Sequence, residues 1–314
     1  RRRRKRTGGN GDHTTMSLKP GEVPTDEELE AEAALLDLKL TEAAQKKYDK
    51  AKKEGFDLAA LQHMKGNELG VIAKKEKVES WAEMPRQKLV FEILKAQANR
   101  QGLMIGEGTL EIMTDGYGFL RSPEYSYVAS PDDVYVSPSQ IRRFSLRKGQ
   151  VIRGLIRPPK ETETYFAMLR VEAINGRDPK EVHDIATFEN LIPLHPDVRI
   201  HLETDKEIIE TRVIDLVAPL GFGQRALIVA PPRTGKTVLL QRLTNAIAIN
   251  HPEVHVIVLL VDERPEEVTD FKRSTPDTVE VVASTFDEEA TRHIQVAEMV
   301  MEKARRMVEF GDDV

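Results

Sequence analysis

The stretch Ala230-Pro231-Pro232-Arg233-Thr234-Gly235-Lys236-Thr237 decides the fold of the C-terminal part of this 314-residue chain. It follows the apolar run 225–229, which predicts a strand, and it precedes a helical pattern over 236–249. Except for alanine at the first position, it fits the phosphate-binding loop G-x-x-x-x-G-K-[ST]. Backbone N–H groups of such a loop and the N-terminus of its helix point inward at an anion. The stretch therefore predicts an α/β domain with a nucleotide site at this turn.

Three residues of the loop have predicted tasks. Gly235 lets the backbone approach the phosphates without a side-chain clash, and Lys236 reaches the outer phosphates. The hydroxyl of Thr237 holds Mg²⁺, which prefers oxygen ligands. The alternative is that Gly-Lys-Thr is a chance tripeptide in a turn, and the strand–loop–helix context disfavours it. ATP with Mg²⁺ is the predicted ligand.

The next apolar run, 255–261, ends in Asp262-Glu263-Arg264-Pro265. We expect Glu263 at the C-terminal end of a strand beside the loop, where it orients or deprotonates the water that attacks ATP. Arg264 is expected to contact a phosphate or hold a carboxylate. The alternative is that these charges cap the helix starting at Pro265, and for Glu266 and Glu267 that interpretation is favoured.

Strand and helix patterns alternate through the rest of this region. They comprise helix 236–249, strand 254–261, helix 265–273, strand 278–283 and helix 287–309. Such alternation is typical of a parallel α/β sheet.

Further towards the N-terminus the pattern changes to short strands separated by turns. The predicted strands are 109–114, 117–121, 133–136, 151–157 and 165–173. Short strands at this spacing favour a small β-barrel of the OB or cold-shock type.

Aromatic residues alternate with glycines in Asp115-Gly116-Tyr117-Gly118-Phe119-Leu120-Arg121. Tyr117 and Phe119 are two apart, so they project from the same face of a strand. Such a pair on an exposed sheet is a platform on which bases stack, and Arg121 continues that face. The alternative is that both rings fill the barrel core. Further candidates for the base pocket are Asp133, Tyr135, Glu163 and Tyr165, since carboxylates accept from the cytosine amino group.

These patterns divide the chain into five predicted parts. Residues 1–54 form a basic disordered arm and a charged, solvent-exposed helix that opens with the capping box Thr25-Asp26-Glu27-Glu28. Residues 55–104 form a small helical module, with caps at Asp57 and Asn67 and a third helix starting at Pro85. An OB-fold barrel over 105–175, a connector over 176–210 and the N-terminal part of a RecA-like ATPase domain over 211–314 follow.

Composition excludes several classes of protein. Cysteine is absent, which removes disulfides and thiolate metal sites. No apolar run reaches membrane-spanning length, so we expect a cytoplasmic protein with no membrane contact. The net charge of −6 means that any site for a polyanion is a local patch. The chain does not begin with Met, and both ends are expected to be cuts in a longer polypeptide.

From about Gly55 to Val314 the chain resembles the bacterial Rho transcription termination factors. Several blocks appear in the family's order, and alanine at position 230 matches the family's form of the loop. The blocks are Asp115–Arg121, Pro131–Phe144, Ile156–Lys160, Gly221–Arg225, Ala230–Thr237, Val261–Asp270 and Val282–Glu288.

The resemblance implies a hexameric ring of RecA-like ATPases, each carrying an OB barrel that binds C-rich single-stranded RNA. The ring would move along RNA towards RNA polymerase and release the transcript. Implied RNA-binding residues are Gly116, Tyr117, Gly118, Phe119, Leu120, Arg121, Asp133, Val134, Tyr135, Glu163, Thr164 and Tyr165. Implied ATP-binding residues are Gly221, Phe222, Gly223, Gln224, Arg225, Ala226, Arg233, Thr234, Gly235, Lys236, Thr237, Val238 and Arg264. Implied catalytic residues are Glu263, Lys236 and Arg264.

The family's second magnesium-binding strand, its channel loops and its arginine finger would follow Val314. We therefore expect the 314-residue chain to bind RNA without RNA-stimulated ATP turnover. Two other functions are open on the residues alone, a non-catalytic RNA-binding module and a RecA-like DNA motor. Binding to oligo-C RNA, oligo-U RNA and duplex DNA would separate the three.

Overall fold

A computed structural model describes residues 23–38, 58–78, 80–101, 104–182, 185–231 and 233–314. The predicted basic arm and the end of the predicted charged helix lie outside these residues. The start of that helix is confirmed as α1, Asp26–Leu38. Its capping box is also present, because the backbone N–H of Thr25 donates to Glu28 and that of Glu28 donates to the Thr25 hydroxyl. No helix in the described part of the chain is long and apolar enough to cross a membrane.

The predicted helical module is formed by three helices. These are α2 (Leu58–His63), α3 (Gly66–Lys75) and α4 (Arg86–Gln101). The third follows Pro85 as predicted, and Leu89, Ile93 and Leu94 on one side of it are buried. Lys65, and not Asn67, stands at the N-cap of α3, since Asn67 already lies inside the helix. Asp57 lies outside the described residues.

All the predicted barrel strands form, with shifted ends. They are β1 (Met104–Ile112), β2 (Gly118–Arg121), β3 (Val134–Val136), β4 (Val151–Arg157) and β5 (Phe166–Ile174). They close in the order β1-β2-β3-β5-β4, with β3 and β5 parallel and the other pairs antiparallel. A helix, α5 (Pro138–Arg143), joins β3 to β4. Alternation sends one set of side chains into the core, which continues into the helical module.

Glycines allow the barrel strands to approach closely. A Cβ on Gly154 would overlap the carbonyl oxygen of Arg170 on β5, beside an irregularity in the β4–β5 register. A Cβ on Gly118 would lie 2.7 Å from Leu110 and 2.9 Å from the Glu111 carbonyl oxygen. Any larger residue at these positions would force neighbouring strands apart.

From α7 onwards the C-terminal region alternates helices and strands as predicted. Its elements are β6 (Arg199–Ile200), α6 (Ile209–Val217), β7 (Leu220–Gly221), α7 (Lys236–Asn250), β8 (Ile257–Glu263), α8 (Pro265–Ser274), β9 (Glu280–Thr285) and α9 (Ala290–Glu309). β8 and β9 pair in parallel. The connector predicted to be irregular is interrupted by β6 and by the start of α6.

The predicted strand over 225–229 is not formed. Residues 225–231 have no strand partner, and Leu227 and Val229 are 87% and 83% exposed. A strand is stabilised by its neighbours, and among the described residues β8 pairs with β9 and not with this stretch. Apolar composition indicates strand propensity, but it does not specify which strand a stretch would pair with.

The barrel packs directly against the α/β region. Tyr127 is buried and its hydroxyl donates to Glu280 of β9 over 2.5 Å. Arg292 of α9 donates to the carbonyl oxygens of Ser126 and Tyr127. Gly149 lies against the backbone of α9 at Glu302 with no room for a Cβ. These contacts hold the barrel and α9 at van der Waals distance.

Candidate functional site

Four aromatic side chains form one cluster on the outside of the barrel. The ring centroid of Phe119 lies 5.8 Å from that of Tyr117, 6.0 Å from that of Tyr135 and 4.8 Å from that of Tyr165. Strand register brings this about, since Phe119 pairs with Tyr135 and Tyr135 pairs with Ala167 on β5. The cluster is separate from the barrel core, so the alternative that Tyr117 and Phe119 fill the barrel interior is wrong.

Helix α1 covers this aromatic cluster. Leu29 is only 2% exposed and packs with Tyr117, Phe119 and Tyr135, whose exposures are 9%, 3% and 4%. The expectation that this helix stands free in solvent is therefore wrong. Its charged sequence concealed the contact, because one buried leucine is enough to dock a helix against rings. Burial is the main reason that the pKa of Tyr135 rises to about 12, and Asp26 of α1 raises it further.

Arg121 continues the aromatic face but is itself buried. Its guanidinium carbon lies 5.0 Å from the centre of the Phe119 ring. Its Nε lies 2.9 Å from Glu111, and Nη1 pairs with Asp133. Burial raises the pKa of the Asp133 carboxyl to about 7, against the opposing effect of Arg121. The structure thus brings together Arg121 and Asp133, two residues predicted for the RNA site, as partners of each other.

Glu163 has a similar arginine partner. Its side chain is 4% exposed and accepts from Arg157 and from the backbone N–H of Lys160. Burial alone would raise the pKa of Glu163, but these hydrogen bonds hold it below its usual value. Thr164 beside it is exposed. Arg157 and Lys160 also pair with Glu32 of α1, at 2.7 and 2.6 Å.

Other predicted RNA-site residues do not belong to the aromatic cluster. Leu120 and Val134 point into the barrel core, because each is adjacent in its strand to Phe119 or Tyr135, which point outward. Gly116 has a φ of +87° in open space, so it makes the turn before β2. The space beside Gly118 is filled by Leu110 and by the carbonyl oxygen of Glu111, so it offers no room for a base.

The phosphate-binding loop has a glycine, Gly235, at a left-handed backbone position that glycine adopts readily. Gly235 has φ +89°, caps α7 and has open space around it. Arg233 also has a positive φ, and the Thr234 hydroxyl donates to the carbonyl oxygen of Pro231 over 2.7 Å. Lys236 begins the helix and is exposed. A helix N-terminus with free N–H groups and an accessible lysine fits a polyphosphate.

Thr237 and Val238 line a cleft of about 470 Å³ between α7 and α8. Glu267 and Asp270 of α8 line the other side of this cleft, and sequence reasoning had assigned Glu267 to helix capping. Threonine and carboxylate oxygens lining one cleft are ligands of the kind that a hydrated magnesium ion takes, since it keeps several waters and needs few protein ligands. The donor set therefore fits Mg²⁺ at Thr237.

Glu263 ends β8 at an irregularity of the strand. Asp262 has a φ of +61°, and the β8–β9 register shifts between Val261 and Glu263. Burial raises the pKa of the Glu263 carboxyl, and the nearby carboxylate of Glu267 raises it further. Lys236 acts in the opposite direction, which places Glu263 within electrostatic reach of the phosphate-binding loop. Arg264 is exposed and follows Glu263 as the N-cap of α8.

The predicted nucleotide-binding residues 221–226 begin at the end of β7, pass through a turn and continue without regular secondary structure. Gly221 is in β7, where a Cβ would lie 2.9 Å from Pro196. Its N–H donates to the Gln224 side chain, and Gly223 has φ +78°. The Phe222 ring lies 5.4 Å from His251 at the end of α7. Arg225 and Ala226 are exposed.

Models of known families match three stretches of the chain. Residues 60–102 match the N-terminal domain of Rho termination factor, and residues 106–180 match its RNA-binding domain. Residues 210–314 match the nucleotide-binding domain of the ATP synthase alpha/beta family. The helical module, the barrel and the α/β region are thus matched as separate units.

Relatives over most of the chain carry the name transcription termination factor Rho. The one from Rhodopirellula baltica is 54% identical over 267 residues, covering 85% of this chain and 52% of its own length. Those from Chromobacterium violaceum and Buchnera aphidicola (Schizaphis graminum) are each 53% identical over 82% of this chain and 62% of theirs. The chain thus spans between half and two thirds of these relatives. Over that shared part, it belongs to the family of transcription termination factor Rho.

Proposed function

We propose that this chain is the RNA-reading and ATP-binding part of a transcription termination factor. In this function the barrel takes cytosine-rich single-stranded RNA, and the α/β region uses ATP to move along it towards RNA polymerase. The chain would act in the cytoplasm as one subunit of a hexameric ring, with ATP bound at each α/β region. The aromatic cluster outside the barrel is the observation that carries this proposal.

The four rings provide stacking surface without contributing to the barrel core. A base on Phe119 would lie beside Tyr117, Tyr135 and Tyr165, and each added stack is sequence-tolerant. Arg157 and Lys160 supply positive charge at the same face for a phosphate. Preference for cytosine would come from carboxylate acceptors at the face. The candidates are Glu163 and Asp133, which are paired here with Arg157 and Arg121.

The loop and β8 divide the work on ATP. Backbone N–H groups of 233–237 and the Lys236 ammonium hold the phosphates, while Thr237 offers its hydroxyl to the metal. Magnesium, when bound, neutralises charge on the phosphates. Glu263 accepts a proton from the attacking water or orients it, and its raised pKa makes it a stronger base once ionised. Arg264 lies beside it, where it can contact a phosphate.

Phe119→Ala tests the RNA part of this proposal. The change removes one stacking ring and should cost about 1–3 kcal/mol of oligo-C affinity per stacked base. Filter binding with oligo-C, oligo-U and duplex DNA would measure the loss and the preference. Phe286→Ala is the control, since that ring is 59% exposed in the α/β region. Unchanged oligo-C affinity in a folded Phe119→Ala protein would contradict the platform.

A further inference from the structure

Helix α1 occupies the same face that RNA would use. Its sequence, Asp-Glu-Glu-Leu-Glu-Ala-Glu-Ala-Ala-Leu-Leu-Asp-Leu, is acidic throughout and holds no basic residue. An acidic helix on a face proposed for a polyanion is unexpected unless the two compete. The contacts of α1 show what each side chain replaces.

Leu29 takes the place of a base. It is buried among Tyr117, Phe119 and Tyr135, and Val23 packs at the edge of the same cluster. These are the rings on which bases would stack, and their exposures of 3–9% leave no room for a base while α1 is docked. Stacking and the Leu29 contact therefore exclude each other.

Glu32 takes the place of a phosphate. Its two carboxylate oxygens bridge Arg157 and Lys160, at 2.7 and 2.6 Å. A carboxylate that bridges two cations carries one negative charge on two oxygens, as a backbone phosphate does. Asp26 adds a longer contact of 3.7 Å to Arg142 beside this face.

We propose that α1 is a built-in competitor of RNA, which must leave the aromatic face before RNA binds there. The inference rests on the proposed RNA-binding function and adds a regulatory step to it. A 13-residue helix is marginal in water and is held mainly by its docking contacts, so the cost of displacing it is largely the cost of breaking those contacts. The affinity measured for RNA is then reduced by the fraction of molecules in which the face is open.

The first test weakens the docking contacts in the full 314-residue chain. The double variant Leu29→Ala with Glu32→Gln should bind oligo-C about five- to tenfold more tightly, since the closed state is destabilised. Glu27→Gln is the matched control, because it removes the same charge from an exposed position of the same helix and should leave affinity unchanged.

The second test follows the helix itself with native docking contacts. The chain has no cysteine, so Glu30→Cys creates a single labelling site at an exposed position of α1. A nitroxide there should become more mobile as oligo-C is added, in proportion to the RNA bound. This measurement does not depend on the stability of the double variant.

The outcomes separate the two proposals. RNA binding with an immobile label, or a double variant that binds no more tightly than wild type, would overturn the competitor role and leave the RNA face standing. Absence of oligo-C binding in both wild type and double variant would overturn the RNA-binding function, and the competitor role with it.

Discussion

The residues around the phosphate-binding loop are arranged by unusual backbone geometry. Asp262 and Gly235 both have left-handed φ angles, of +61° and +89°. Aspartate tolerates this region less well than glycine, and such residues gather at sites where a neighbouring side chain must be aimed. Here the neighbour is Glu263, whose carboxyl feels both Glu267 and Lys236.

Lys236 and Glu263 should differ in what their loss does to ATP. Lys236→Ala would remove the proposed contact to phosphate in the ground state, so nucleotide binding should weaken. Glu263→Gln should spare binding, because the proposed role of Glu263 is to act on water in the transition state, and the amide lacks only the basicity of the carboxylate. Titration with a fluorescent ATP analogue would measure both. Lys272→Ala removes an exposed lysine of α8 and serves as control. Equal weakening by both site variants would contradict this division.

Glu267→Gln should lower the pKa of Glu263. The second carboxylate raises that pKa, so a neutral amide removes the effect. When folding raises the pKa of a carboxyl, the protein loses stability as pH rises from the carboxyl's ordinary pKa through the raised pKa. The free energy of unfolding of Glu267→Gln should therefore fall less over that pH range than that of the unsubstituted protein. Carboxyl NMR titration would measure the shift, with Glu266→Gln, an exposed neighbour, as control. An unchanged Glu263 titration would refute the coupling.

Among the secondary-structure elements, those with local signals were predictable. The barrel strands alternate in hydropathy, and α7 to α9 carry helical periodicity, so their existence followed from sequence. The pairing and docking of elements did not follow from sequence. The exposure of 225–229 and the docking of α1 depend on which distant residues lie beside them, and local sequence does not specify this. Tyr117 and Phe119 were placed on one face by spacing, yet their helix cover lies nearly ninety positions earlier in the sequence.

Gly154→Ala should destabilise the barrel. The added methyl group would overlap the carbonyl oxygen of Arg170, a backbone atom that cannot rotate away. Overpacking of this kind costs about 1–3 kcal/mol of unfolding free energy. Urea denaturation would measure it. Gly66→Ala adds the same methyl at the start of α3, where nothing lies within 4 Å, and should be neutral or stabilising. Equal stability of the two variants would show that β4 and β5 can move apart to accommodate the methyl group at little cost in free energy.

At the scale of the whole molecule, the barrel and the α/β region form one packed unit. Besides Tyr127 and Arg292, Gln295 of α9 donates to Glu111 of β1 over 2.7 Å. Lys303 of α9 pairs with Glu280, the same carboxylate that accepts from Tyr127. Helix α9 thus contacts the barrel at β1 and at the loops before β3 and β4, while the aromatic face lies on the same barrel.

Gly149→Ala should loosen the docking of α9 on the barrel. Its Cβ would meet the backbone of Glu302, and its φ of +89° adds conformational strain. Gly176→Ala carries similar strain, at φ +77°, in open space and isolates the clash. Amide hydrogen exchange in α9 should rise well above that of the Gly176 variant, by about tenfold for each 1.4 kcal/mol lost. Matching exchange in the two variants would mean that the clash is relieved without undocking.

Arg121 is already neutralised before any RNA arrives. Glu111 and Asp133 together carry more negative charge than its guanidinium can balance, so it holds no condensed anion to release. The salt dependence of nucleic-acid binding counts the ions set free when phosphates meet cations. Arg121 should add nothing to that count, and neither should Arg157, which is paired with Glu163 in the same way. The slope of affinity against salt should come from Lys160 and other cations at the face. The barrel would then hold RNA in salt more firmly than a site built on free arginines.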